Sequence, residues 1–156
     1  MVLFGVLLMI LVGMLILQKI NKLKKLEIAA IWLFIPSLIH DIAIGLSNLK
    51  IIELTKNIEM HSSFIVGKTL LIPVIILMFI NASVGRPSVT IKIMISLFSA
   101  AILLFVEYSF EWAGVITHKN VSLWSSYLFW LLTILLLLGL RQFFNILLQR
   151  RSKHIV

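Results

Sequence analysis

Glu107 and Glu111 stand four residues apart in LLFVEYSFEWAGVITHKNVSLW (103–124), with Tyr108 and Trp112 beside them. On a helix that spacing puts both carboxylates on one face, where like charges repel and favour a shared proton or a cation between them. Three further ionisable side chains fall in or beside apolar runs: His40, Asp41 and Lys68. A charge within a membrane span is costly and normally faces the bundle interior or water. These five residues define a candidate polar pocket, and His118 lies in the loop nearby. Such a pocket could hold a divalent cation between the glutamates and Asp41 or His40, accept a proton, or recognise a cationic group. A purely structural arrangement uses the same residues. Glu111 would then sit in headgroup water, Glu107 would pair with Lys68 or His40, and Asp41 would hydrogen-bond to a neighbouring helix. His40 and Asp41 are adjacent, so on a helix they point about 100° apart, which weakens a shared ligand site.

Other chemistry is poorly supplied. The chain has no cysteine, which excludes disulfides, thiolate metal sites and cysteine nucleophiles. Neither H-E-x-x-H nor G-x-S-x-G occurs, and there is no phosphate-binding glycine loop. A lone His40 is better read as a hydrogen-bonded core residue than as a haem ligand. No catalytic residue, metal site or cofactor is assigned.

The elements that must position these groups follow from composition. The 156 residues are 61% hydrophobic, with a mean hydropathy of +1.12, well beyond the roughly half-apolar make-up of soluble domains. The apolar residues come in blocks near the roughly 20 residues that a helix needs to cross a bilayer. They do not alternate as barrel strands would. The expected fold is therefore all-α, a polytopic transmembrane helical bundle in a single membrane domain, 1–156. Its five predicted spans lie at about 2–17, 28–46, 69–82, 91–110 and 123–140. Between the second and third spans, residues 47–68 mix Ile51, Leu54 and Ile58 with Lys50, Glu53, Lys56 and Glu59. That pattern reads as an amphipathic helix lying on the membrane surface. Ser96, Ser99, Ala100 and Ala101 offer a small-residue seam for helix packing. Trp112, Trp124, Tyr127 and Trp130 read as an interfacial aromatic belt.

The net charge of +8 follows topology, and nucleic acid is not needed to explain it. With the N-terminus outside and the C-terminus inside, ten of the fourteen Lys and Arg face inward (19, 22, 24, 25, 86, 92, 141, 150, 151, 153). The other four (50, 56, 68, 119) face outward. The positive-inside rule selects this orientation over its inverse. The apolar start, MVLFGVLLMILVGMLIL, lacks a basic n-region and an A-x-A site, so it reads as a retained span.

The second half of the chain carries a resemblance. KTLLIPVIILMFIN, a short basic turn, and IKIMISLFSAAILLFVEYSFEWAGVITHKNVSLWSSYLFWLL resemble a family of small uncharacterised multi-span membrane proteins of spore-forming Gram-positive bacteria. The pattern rests on Pro73, Asn81, Glu107 or Glu111, Trp112, Gly114, Ile116, Trp124 and Tyr127. It implies a bacterial multi-pass protein of the cell membrane and supplies no activity.

Three functions compete. The leading one is a non-enzymatic accessory or structural subunit, whose partners are the lipid bilayer and either other membrane proteins or further copies of itself. A small transporter or proton/cation carrier working through Asp41 and Glu107 is the alternative, and an intramembrane metal-dependent enzyme the second alternative.

Overall fold

Long apolar segments in a bilayer must satisfy every backbone N–H and C=O internally, and the helix does so within one segment. The computed structural model describes residues 1–23, 25–48, 52–54, 57–86, 88–119 and 121–153; the side chains of 40–48, 52–54, 144, 145 and 147–153 lie outside that description. Among the described residues it shows five helices: α1 (Val2–Ile20), α2 (Lys25–Asn48), α3 (Ile58–Ser83), α4 (Val89–Trp112) and α5 (Leu123–Lys153). Of these, again among the described residues, four, all but α2, are long and apolar enough to cross a membrane. A short antiparallel ribbon joins two loops, β1 (Ile52–Leu54) pairing with β2 (Ile116–His118) in the register Ile52 to His118 and Leu54 to Ile116.

The stretch read as a surface helix divides in two. Residues 52–54 form β1, and α3 starts at Ile58, eleven residues ahead of the expected span. Asn57 caps it, its Oδ1 accepting from the backbone N–H of Glu59 at 3.0 Å and Met60 at 3.4 Å. That satisfies two of the N–H groups a helix start leaves open. The helix widens to a π turn over Gly67–Leu71, directly before Pro73. Proline has no N–H and its ring crowds the carbonyl four residues back, so the wider turn lets the helix pass it without breaking.

α3 is the centre of the bundle. Of its most apolar stretch 56% is buried, against 17% for α1 and 28% each for α4 and α5. Three contacts place α1 beside it, parallel and in step. The Met1 amino group meets Glu59 at 2.6 Å, Gly13 faces Val74, and the Asn81 amide donates to the Ile20 carbonyl at 2.8 Å. At Gly13 an added Cβ would lie 2.6 Å from Val74 Cγ1, so glycine sets how closely the two backbones approach. Asn81 also accepts from the Lys22 backbone N–H at 2.7 Å. One amide on α3 thereby holds the lysine-rich turn that links α1 to α2.

α4 packs on α3 and α5 through a stripe at helical spacing: Ser96, Ser99, Ala100, Leu103, Val106 and Phe110 are buried. Ala101, expected in the seam, is exposed, because it lies one step round the helix from Ala100. The buried serines return their hydroxyls to their own helix, Ser96 to Lys92 O at 2.9 Å and Ser99 to Ile95 O at 2.5 Å. α4 and α5 are consecutive helices joined by the short connection 113–122 and pack closely as a hairpin, with Glu107 meeting Ser126 and Trp130 and the Leu97 carbonyl meeting Tyr127. The apolar core forms two groups. One is built on Ile35, Ile76, Leu77, Ala100, Leu103, Trp130 and Leu137. The other, built on Val6, Ile10, Leu71, Val106, Phe110 and Val115, lies toward the ribbon.

Candidate functional site

The site begins where α4 ends. Val115 N–H donates to Phe110 O at 2.9 Å, and Gly114 N–H donates to Glu111 O at 2.9 Å. This is a Schellman stop, with Gly114 at φ +72° supplying the left-handed residue and buried Val115 packing back on Phe110. The turn reverses the chain so that β2 runs back over the last turns of α4. His118, at the end of β2, is thereby delivered to the glutamates.

Both imidazole nitrogens then face a carboxylate. His118 Nε2 lies 2.9 Å from Glu107 Oε1, and Nδ1 lies 3.1 Å from Glu111 Oε2. The Nδ1 contact is an ion pair by distance, with its N–H poorly aimed for a hydrogen bond. The His118 backbone N–H adds a longer bond to Glu111 Oε1 at 3.3 Å. The ring stacks on Tyr108, with centroids 6.0 Å apart and planes at 28°. Its side chain is only 6% exposed, against 16% for Glu107 and 30% for Glu111.

Glu107 is held from the other side by α5. Trp130 Nε1 donates to Oε2 at 2.6 Å, and Ser126 Oγ donates to Oε1 at 3.3 Å. Both carboxylate oxygens are therefore engaged by internal donors. A neutral imidazole has one N–H and one lone pair, so it would turn a lone pair toward one of the two carboxylates. The imidazolium has a donor for each. The hydrogen bond to Glu107 comes first in pushing the His118 pKa above its usual 6.5; burial opposes it, and the close contact with Glu111 and the two negative charges add to the rise.

The expected pocket is assembled in part. Glu107 and Glu111 do share a face, and their common partner is His118. Lys68 sits in the π turn of α3, buried, with Nζ 5.4 Å from the centre of the Phe64 ring. That is a cation–π arrangement one turn apart on the same helix. The side chains of His40 and Asp41 lie outside the described residues. Trp130 departs from the belt reading: it is 4% exposed and bonded to Glu107. Trp112 and Trp124 are 93% and 75% exposed, and half-buried Tyr127 stacks edge-on with Trp124 at 6.4 Å while donating to Leu97 O at 3.3 Å. Trp130 lies six positions after Trp124, which on a helix turns the second indole about 120° away from the first. Among the described residues no group of three His, Asp or Glu has metal-holding geometry, and both nitrogens of His118 already face carboxylates.

A second charged pair lies at the lysine end. Glu27 of α2, its side chain 3% exposed, meets Arg141 Nε of α5 at 3.5 Å. The pair borders a cavity of about 290 Å³, lined by Ala30, Ile31, Phe34, Leu137 and Leu140.

No protein-family model, curated protein or solved structure matches this chain. The apolar helices themselves define the class, a multi-pass α-helical membrane protein.

Proposed function

We propose that this chain is a non-enzymatic accessory subunit of a bacterial cell membrane, crossing it five times with the N-terminus outside, and that it acts by packing against other membrane proteins or further copies of itself. The observation that carries this reading is the closure of the glutamate site. Glu107 has each oxygen engaged by His118, Ser126 or Trp130, a network that fastens helices and commits this carboxylate to internal partners. The distribution of Lys and Arg supports the orientation, and the resemblance described above supports the bacterial membrane.

Mild-detergent purification of the chain at native expression should recover a stable complex or homo-oligomer. A monodisperse monomer with no partner would overturn the subunit reading. Because the native chain has no cysteine, single cysteines report orientation cleanly. Ser122→Cys should react with an impermeant maleimide on intact cells, and Arg86→Cys should react only after lysis.

A further inference from the structure

His118 sits where three parts of the molecule meet. Its backbone belongs to β2, which pairs with β1 and through it with the α2–α3 connection. Its ring lies against Glu107, Tyr108 and Glu111 of α4. Through Glu107 it is tied to Ser126 and Trp130 of α5. Among the described residues the charged groups acting on the imidazole are Glu107 and Glu111. Lys119, next along the chain, is exposed.

We propose that Glu107, His118 and Glu111 form a proton-binding latch that fastens the β1–β2 ribbon onto the α4–α5 hairpin. With the proton bound, the imidazolium donates to Glu107 from Nε2 and holds Glu111 at Nδ1 as an ion pair. Without it, two carboxylates face a ring with a single N–H, and one of them must let go. Glu107 stays, because Trp130 and Ser126 hold it. Glu111, 30% exposed, swings to water and takes with it the acceptor of the His118 backbone N–H. The ribbon then keeps only one of its two side-chain anchors on α4, the His118 ring on Glu107. The sign follows from the raised His118 pKa. The latch contributes in full below the unfolded value near 6.5 and is lost as pH rises through the higher folded value. The latch stands on this geometry alone and holds whichever partner the bundle has.

Amide hydrogen exchange of the full chain in lipid nanodiscs tests this, with rates corrected for intrinsic chemistry and compared at pH 5.5 and 8.5. Opening of the ribbon amides at 52–54 and 116–118 should rise at least about tenfold at the higher pH, the loss of one charge-assisted contact. The turn held by Asn81 at the other end should not change. In His118→Gln the ribbon should open equally at both pH values, near the native level at 8.5. In Glu111→Gln, which keeps the native anchor of Glu107, the response should fall below about threefold. Native ribbon exchange that is the same at both pH values overturns the latch. So does a pH response that survives undiminished in either variant.

Discussion

Each end of this bundle joins a glutamate to a cation, and the two ends use different cations. At the lysine end Glu27 meets Arg141, and arginine as a residue type is the permanent cation. At the ribbon end Glu107 and Glu111 meet His118, the one common side chain that exchanges its proton near neutrality. The first pair joins two long helices, α2 and α5, beside an apolar cavity. The second joins a loop to a hairpin. A permanent charge suits a seam that must not open, and a titratable one suits a seam that can. Within a bilayer, lipid tails are as apolar as the helix faces, so hydrophobic burial does little to hold helices together. Polar contacts at the two ends therefore weigh more than their number suggests.

The largest effect should come from the lysine end. Arg141→Met leaves Glu27 buried without this cation, and about 3 kcal/mol of stability should go, equally at pH 6 and pH 8, in detergent thermal melts. A loss that depended on pH would erase the contrast between the ends. Trp130→Phe keeps the ring in the core and removes the N–H that fixes Glu107. It should cost about 2 kcal/mol by the same measurement, as for a hydrogen bond to a charged group. The smallest effect belongs to Glu111→Gln, partly exposed and imperfectly aligned. It should cost about 1.4 kcal/mol at pH 6, the equivalent of the tenfold ribbon opening, and much less at pH 9. A constant cost across that range would make Glu111 a static contact like Glu27.

Much of the helical frame was legible because apolar runs without alternation have few other structures open to them in a bilayer. Glu107 and Glu111 were legible as a pair because four-residue spacing alone puts them on one face. What the sequence concealed depended on the chain turning back. His118 is eleven residues from Glu107, and only the glycine stop at Gly114 brings it over the helix end; Gly114 was visible in the sequence, but the direction of the return was not. Trp130 resembles a belt residue by type and by distance from the span's start, and only its flank of α5 separates it from exposed Trp124. The start of α3 was hidden because His61, Ser62, Ser63 and Lys68 make its first turns look like loop, whereas Asn57 caps a helix there.

The parallel register of α1 on α3 has a consequence for biogenesis. The residues that meet along this seam are 58 to 61 positions apart, while Glu107 and Ser126 of the α4–α5 hairpin are 19 apart. At a synthesis rate of roughly 5–20 residues per second, α1 emerges about 3–12 s ahead of its partner, and the hairpin waits only about 1–4 s. The Gly13 notch of α1 is thus made well before the α3 segment that fills it, and the seam closes only after α2 and β1 have been synthesised. Order of synthesis and order of packing therefore differ along this seam.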